Sequence, residues 1–463
     1  MGWAAALLGL LTACSGSEGG EEHTPITYSE QAVSFATQVS DLSATRGGTV
    51  DNVEALKELS EGFGVLAYLT ETESWATAGD AATPDFMYNQ QVRWGALYTT
   101  TDDIVNDWVY SPLKYWPNST DNAQSRYISF FAYAPFVEIA NSTTGSTGKT
   151  TGITGLTYAS DKSPHLIYQM DATAGMVQTD VLWAQPCLNA TRNGNGLIYF
   201  EGTTEMWQKV PLEFHHALAA VEVYVQRIYD EPTYSGKKPD NEEHTKLFVS
   251  QLDFKTTNTV TTGLFTSGRL NLETGVWTSL TGSEAWTAEE KTLTYGEGGF
   301  NDIVRGTASD ELGAVRQYEL NKWGEGYNSE TGLWDSDADY GVDEVERLLF
   351  TDKAITLLPS GDEITISPTL QYSMITRDDE LLLSTLTDKD GHKYARIVNQ
   401  VTGNPLKLKI EAGKKYKLVI RIGVEHVEFE VVSVVDWDFP MRFNPGVGTG
   451  FENEEIDHTL NEE

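Results

Sequence analysis

Apolar residues alternate with polar ones along most of this chain, a pattern typical of β-strands that are buried on one face. Val33, Phe35 and Val39 form the first such run, and Val427 to Val431 form the last. Strand-like segments follow one another with turn residues between them, and only residues 53–59 have the spacing of a short helix. Because helices do not alternate with strands, we predict an all-β fold of two packed β-sandwiches rather than a parallel α/β sheet.

The length of 463 residues exceeds that of one ordinary domain. A polar stretch with Pro232, Gly236 and Pro239 is the best candidate boundary between two domains. We therefore predict an N-terminal β-sandwich domain over residues 26–230, a linker over 231–245, a C-terminal β-sandwich domain over 246–440 and a solvated acidic tail over 441–463.

The N-terminus predicts export. Trp3 to Ala13 are an apolar run that is too short to span a bilayer, so we interpret residues 1–14 as a signal peptide. The run ends in Leu-Thr-Ala-Cys at Cys14, which resembles the lipobox of bacterial lipoproteins and predicts lipidation of Cys14, although no Lys or Arg precedes it. The acidic tether over 15–25 resembles the surface-export signals of Bacteroidetes lipoproteins, which favours the outer face of the outer membrane.

Lipidation of Cys14 leaves Cys187 as the sole cysteine of the mature chain, so no internal disulfide can form. We predict that Cys187 is a buried, inert thiol rather than a nucleophile. The net charge of -36 excludes nucleic acid as a partner, because such binding depends on Lys and Arg that neutralise phosphates. The same charge is compatible with cation binding.

One acidic segment has the spacing of a calcium loop. Counted from Asp335 as position one, oxygen ligands fall at positions one, three, five, nine and twelve. These candidate ligands are Asp335, Asp337, Asp339, Asp343 and Glu346. The glycine that belongs at position six is displaced to Gly341, and no pair of helices flanks the loop. Both interpretations stay open: a Ca²⁺ site in a loop, or an acidic surface loop without a metal.

No pattern in the chain predicts catalysis. His215 and His216 are adjacent on a predicted strand, so their side chains should point to opposite faces and not share a metal. No nucleophile stands in a recognisable elbow motif. We therefore predict a protein that is not an enzyme and needs no cofactor, apart from the calcium considered above.

Several segments together resemble the fimbrillin family, the lipoprotein pilins (type V pilins) of Bacteroidales. The N-terminal segments are Tyr115-Trp116-Pro117, Ile128 to Pro135, Asp180 to Ala184 and Val210 to Ala219. Those of the second half are Leu357-Leu358-Pro359, Ile364 to Ile366, Gly413 to Leu418 and Val434 to Trp437. The similarity is patchy and lies in the order and spacing of these segments from about residue 26 to 440.

The resemblance implies two tandem transthyretin-like β-sandwiches and assembly by donor-strand exchange. In that process proteolysis after an Arg removes the first strand, and an extended segment of another subunit fills the groove. The matching strand here is Ile26 to Val39, with Val33, Phe35 and Val39 as groove-filling residues. The matching cleavage site is Arg46, which is followed by Gly47 and Gly48. Arg46 as an uncleaved loop residue is the alternative.

The resemblance also implies the partners, which are other fimbrial subunits, the outer membrane through the lipid, and host or bacterial surface ligands or glycans. The segment Phe439 to Phe451 contains Pro440, Pro445 and three glycines, which suit a long central donor strand poorly. Stalk, tip, accessory and anchor roles therefore stay open. The alternative function is a surface glycan-binding lipoprotein of a polysaccharide uptake system, with some of the 12 tryptophans as stacking platforms.

Overall fold

The structure is a computed structural model, and it describes a large part of the chain in separate ranges. These are residues 26–27, 32–39, 53–98, 104–117, 126–158, 163–170, 179–193, 195–227, 245–259, 261–282, 285–289, 318–319, 327–328, 333–334, 347–348, 355–377, 394–422 and 427–436.

The described elements are short helices and many strands. The helices are α1 (Val53–Glu58) and α2 (Trp75–Ala78). The strands of the first part are β1 (Ile26–Thr27), β2 (Phe35–Val39), β3 (Phe63–Glu71), β4 (Met87–Tyr98), β5 (Ile104–Val109), β6 (Tyr127–Ala134), β7 (Thr144–Ser146), β8 (Gly152–Thr157), β9 (His165–Gln169), β10 (Leu182–Ala184), β11 (Cys187–Arg192), β12 (Ile198–Phe200), β13 (Val210–His216) and β14 (Ala219–Arg227). The later strands are β15 (Thr245–Lys255), β16 (Ser267–Asn271), β17 (Trp277–Thr281), β18 (Ala285–Glu289), β19 (Tyr318–Glu319), β20 (Tyr327–Asn328), β21 (Leu333–Trp334), β22 (Arg347–Leu348), β23 (Ile355–Leu357), β24 (Ile364–Arg377), β25 (Tyr394–Thr402), β26 (Leu406–Leu408), β27 (Lys414–Ile422) and β28 (Val427–Asp436).

The prediction of an all-β protein with a short helix near the N-terminus is confirmed. Helix α1 lies where the spacing of apolar residues predicted it, and it buries Leu56 in the core. Its exposed side is stabilised by Lys57, which contacts Glu54 at 2.6 Å and lies over the ring of Trp94. The second helix, α2, was not predicted, and it buries Trp75.

A ten-stranded sheet dominates the first part of the chain. Its main order is β1-β4-β3-β6-β10-β13-β2, and β5, β11 and β12 pair with its members from the sides. Strand β4 pairs with β3 through its first half and with β5 through its second half. Strands β1 and β2, which come from the same N-terminal segment, therefore lie at opposite ends of this order.

A five-stranded sheet combines distant parts of the sequence. Its order is β17-β16-β9-β8-β7, so strands from residues 144–169 pair with strands from residues 267–281. Apart from β14, the strands of the remaining large sheets come from the second half of the chain. One has the order β22-β14-β27-β28 with β23 beside β14, and the other has the order β18-β15-β24-β25 with β19 and β26 at its sides.

The core of the described residues falls into two hydrophobic clusters, and the central strands β3 and β6 contribute to both. Val65 and Ala67 belong to a first cluster that lies wholly within residues 33–214. Leu66 and Tyr68 alternate with them and belong to a second cluster. That second cluster continues through the five-stranded sheet, for example at Tyr168, and into the C-terminal sheets. Strands β3 and β6 are therefore buried on both faces.

The predicted linker 231–245 falls almost entirely outside the described residues, so the domain bounds stay a prediction. Strand β14, which precedes that stretch, pairs in parallel with β27 over Ala220 to Arg227. It follows β13 after only Ala217 and Leu218, which are both buried. The indole Nε1 of Trp277 donates a hydrogen bond to the carbonyl oxygen of Ala217 at 2.5 Å. The chain thus passes from one sheet to the next through a packed junction.

The helices that the structure describes include none that is long and apolar enough to cross a membrane.

Candidate functional site

The first strand of the core, β2, lies at the end of the ten-stranded sheet. It pairs in parallel with β13, with Phe35 to Val39 in register with Val210 to Phe214. The amide of Val210 donates a hydrogen bond to the carbonyl oxygen of Ser34 at 2.8 Å. Among the strands that the structure describes, β2 has a neighbour on one side only, so its other side depends on contacts from outside the ladder.

A short loop supplies such contacts just before β2. The amide of Val33 donates to the carbonyl oxygen of Lys114 at 2.9 Å, and Ala32 forms an isolated bridge with Tyr115. The hydroxyl of Tyr110 lies 2.9 Å from the Val33 carbonyl oxygen, to which it donates. Burial raises the pKa of Tyr110 above its ordinary value, which keeps the phenol protonated and able to donate. Tyr110 therefore connects Val33, just before β2, to the loop through its hydroxyl group.

The core-facing side of β2 is deeply buried, together with Val33 just before the strand. Val33 and Phe35 are both 0% exposed. The ring of Phe35 packs against Phe63, Tyr110 and Phe130 with centroid separations of 6.2, 5.8 and 6.0 Å. Burying each of these two side chains contributes about 1.5–3 kcal/mol. Removal of β2 would therefore leave an apolar groove, which we call the β2 groove, lined by Phe63, Tyr110, Phe130, Val210, Leu212 and Phe214.

The later residues of β2 are polar and yet buried. Thr37 is 2% exposed and Gln38 is 4% exposed. Within the part of the chain that the structure describes, neither Oγ1 of Thr37 nor Oε1 of Gln38 has a hydrogen-bond partner. A buried polar atom without a partner costs about 1–3 kcal/mol. Strand β2 thus combines strong apolar contacts at its start with unsatisfied polar groups towards its end.

The strand that receives β2 carries an unusual residue, Pro211. A proline cannot donate to a β-ladder, and central strands seldom contain one. The carbonyl oxygen of Pro211 accepts a hydrogen bond from Sγ of Cys187 at 2.7 Å. The prediction that Cys187 is a buried free thiol is confirmed. Burial, with a smaller effect of Glu213, raises its pKa, so the thiol stays protonated, unreactive and available as a donor.

The histidine pair at the end of β13 points to opposite faces, as we expected. His216 is buried, and its Nδ1 lies 3.1 Å from an Oδ of Asp180, which is also buried. The ring of His215 packs on Trp183 with a centroid separation of 5.5 Å. Among the residues that the structure describes, no three His, Cys, Asp or Glu side chains gather as a metal site. The pair therefore serves packing at the end of the strand.

Several predicted site residues lie outside the described residues. These are the lipidation site Cys14, the processing site Arg46 and Gly47, and the calcium ligands Asp335, Asp337, Asp339, Asp343 and Glu346. Val39 belongs to β2 by its backbone, and Val33 and Phe35 lie together in the core, while their role as groove-filling residues stays a prediction.

The sequence did not reveal four residues that matter at this site: Thr37, Gln38, Tyr110 and Pro211. Threonine is a good strand former on either face, so its presence gave no sign that its hydroxyl is buried. The proline was the one usable signal, because Pro within an alternating run marks an edge or an irregular position.

No family model matches the chain. In sequence it is similar to a fimbrium subunit of Phocaeicola vulgatus, Fim1C, with 36% identity over 89 residues. That match covers 19% of this chain and 20% of the relative, so it spans about a fifth of the relative's length.

In structure the chain is similar to a fimbrial protein from Bacteroides vulgatus. The TM-score is 0.53 at 17% identity, and the match covers 88% of this chain and 99% of the other. A fimbrilin from Porphyromonas gingivalis matches with a TM-score of 0.27 at 10% identity, over 88% of this chain and 99% of the other. The Phocaeicola vulgatus relative and the Bacteroides vulgatus structure are both named as fimbrial proteins, in agreement with the prediction that the chain is not an enzyme. The chain has the fold of a fimbrial protein, and its resemblance to Bacteroidales fimbrial subunits is confirmed.

Proposed function

We propose that this protein is a structural or adhesive subunit of cell-surface fimbriae that assembles by donor-strand exchange. In this proposal it is exported as a lipoprotein through Cys14 and cut after Arg46. A strand of another subunit then occupies the β2 groove. The observation that carries the proposal is the position of β2. Its residues fill the apolar core, although among the described strands it is hydrogen-bonded to a neighbour on one side only.

The position of Arg46 suits this sequence of events. It lies between the end of β2 at Val39 and the start of α1 at Val53. After a cut there, β2 is held only by the non-covalent contacts with β13, the Lys114 loop and the core. The two glycines after Arg46 favour an accessible backbone for a protease. Because Cys14 precedes the cut, the same step separates the subunit from its lipid anchor.

The parallel ladder suits the arrival of another strand. The β13 backbone groups that now bond to β2 are the groups that an incoming segment would use, which is the general mode of β-augmentation. Core-facing residues at the Val33 and Phe35 positions would refill the space between Phe63 and Phe130. The groove therefore offers both the hydrogen bonds and the apolar burial that such an assembly needs.

The test is intact mass and N-terminal sequencing of protein recovered from the cell surface, together with its state of assembly. We expect wild-type subunits in fimbriae to begin at Gly47. We expect Arg46→Ala to begin at acylated Cys14 and to stay unassembled. Lys149→Ala is the matched control, because Lys149 lies in an exposed turn between β7 and β8 and its loss should change neither property.

Assembled wild-type subunits that still carry β2 would contradict the exchange mechanism. A wild-type chain that begins at Cys14 and never joins other subunits would also contradict it. That second result would favour the alternative of a stand-alone binding lipoprotein, and glycan binding would then be measured.

A further inference from the structure

The core-facing side of β2 is not apolar throughout. In the β2–β13 ladder, Phe35 is in register with Val210, Thr37 with Leu212 and Val39 with Phe214. Residues paired in this way point to the same face of the sheet. Thr37 therefore faces the same apolar core as Phe35, beside Leu212 and between Val210 and Phe214. All three of these β13 side chains are 0% exposed.

The hydroxyl of Thr37 has no favourable interaction in this position. Its Oγ1 is buried without a hydrogen-bond partner. Placing a hydroxyl in an apolar core removes its hydrogen bonds to water and gives none in return. Valine has nearly the same shape without the hydroxyl, so an aliphatic residue would fit this position better than the native residue does.

The neighbouring positions of β2 do not offer the same advantage. Val33 and Phe35 are already apolar and fully buried, so a different occupant would gain little there. Gln38 also has a buried oxygen without a partner. However, it points to the face of the sheet opposite to Thr37, away from the β2 groove. Among the described side chains of β2 that face the groove, Thr37 is therefore the one that is clearly suboptimal.

We propose that the Thr37 position decides which strand occupies the β2 groove, and that the incoming segment has an aliphatic, β-branched residue there. Strand β2 then occupies the groove while the subunit folds, and a strand that fits the groove better later replaces it. This inference rests on the proposed replacement of β2, and it specifies the partner as an extended segment of another subunit with the alternation aliphatic, aromatic, aliphatic at its core-facing positions.

The test measures how tightly the groove holds β2 in the full chain. A specific protease site is inserted after Arg46, and a dye is attached to the N-terminal segment ahead of β2. After the cut, release of the labelled segment is followed by fluorescence anisotropy, with an excess of unlabelled peptide of residues 26–46 to prevent rebinding. The same experiment is carried out with Thr37→Val.

We expect Thr37→Val to slow the release on the order of tenfold or more, because the cost of the unsatisfied hydroxyl disappears. In the reverse arm, the peptide of residues 26–46 with Thr37→Val should displace native β2 at about tenfold lower concentration than the native peptide. Thr37→Ser, which keeps a hydroxyl, should not slow the release, and it keeps the test valid if the valine variant does not fold.

Thr191 provides the matched control. It lies on β11, is 4% exposed, and its Oγ1 is also buried without a partner. Thr191→Val should stabilise the fold without changing the release of β2. The proposal is overturned if Thr37→Val releases β2 as fast as wild type, or if Thr191→Val slows release equally. Because the cut is made in vitro, this result is independent of whether cells process Arg46, which the N-terminal sequencing decides.

Discussion

Strands β2 and β28 resemble each other in sequence and position but not in environment. Both begin their alternation with valine and phenylalanine two residues apart, at Val33 and Phe35 and at Val427 and Phe429. Each lies at the end of its sheet order. Yet the core-facing side of β2 is buried, with Phe35 0% exposed, whereas the later half of β28 is open, with Val434 50% exposed.

The difference shows that pairing and burial are separate ways to hold a strand. Strand β28 pairs with β27 over nearly its whole length, from Val427 to Asp436, and keeps glutamates on its outer side. Strand β2 has a shorter ladder, and the aromatic core around Phe35 contributes much of its stability. A strand held mainly by side-chain burial can be replaced by any segment that fills the same space, which suits exchange better than a long ladder does.

The largest effect should come from Phe35→Ala, which removes the central ring of the β2 groove. We expect a loss of about 3–5 kcal/mol in the free energy of unfolding, because a buried phenylalanine loses its contacts and leaves a cavity. Urea unfolding followed by tryptophan fluorescence measures this. If Phe35→Ala and a change at exposed Val434 lowered the free energy of unfolding equally, the proposed difference between the two strands would be contradicted.

A smaller effect should follow from Cys187→Ala, which removes the donor to the Pro211 carbonyl oxygen. We expect a loss of about 1–3 kcal/mol, since a buried acceptor is left without a partner. Cys187→Ser keeps a donor and should cost less in the same unfolding experiment. A larger cost for serine than for alanine would show that burying a hydroxyl costs more than its hydrogen bond to the Pro211 carbonyl oxygen returns.

The raised pKa of Cys187 also gives a chemical prediction about the same thiol. Native protein at pH 8.5 should resist alkylation at Cys187, because the thiolate is the reactive form and burial disfavours it. Peptide mapping after iodoacetamide treatment measures this, with urea-unfolded protein as the positive control. Rapid labelling of the folded chain would contradict the structural role of the thiol.

A modest effect should follow from Tyr110→Phe, which removes the hydroxyl that donates to the Val33 carbonyl oxygen. We expect a loss of about 0.5–1.5 kcal/mol, the usual net value of one hydrogen bond. Tyr127→Phe is the control, because its hydroxyl contacts Glu201 at 3.4 Å on an exposed surface. If both variants unfold at the same urea concentration as wild type, Tyr110 does not fasten β2.

The smallest effect should come from Val434→Thr on the open part of β28. An exposed side chain with few contacts should change the free energy of unfolding by about 0.5 kcal/mol or less. The measurement is the same urea titration. A large loss would mean that β28 is covered in solution and that the contrast with β2 is smaller than the structure shows.

The sequence predicted the class of the fold because alternation along a single strand is a local property. Val427 to Val431, predicted from its alternation, lies in β28, and the helix at Val53 was found from its spacing. Pairing between distant segments is not local. The parallel pairing of β2 with β13 and the pairing of β9 with β16 could therefore not be predicted from the alternation of apolar and polar residues.

The candidate site was predicted only where apolar residues mark it. Val33 and Phe35 follow from alternation together with the resemblance to fimbrillins. The unsatisfied hydroxyl of Thr37 depends on which side of which sheet the residue faces, and that is decided by the tertiary fold. Pro211 gave a signal, but its link to Cys187 depends on the approach of two strands that are distant in sequence.

The direct junction of β13 to β14 has a mechanical consequence. A pulling force applied to a strand in the β2 groove would act on β13 along the strand axis, as shear on a parallel ladder. Only Ala217 and Leu218 separate β13 from β14, and the Ala217 carbonyl is held by Trp277. The force would therefore be transmitted to the parallel ladder of β14 and β27 without first extending a flexible linker between β13 and β14. The junction between β13 and β14 would therefore extend little under tension.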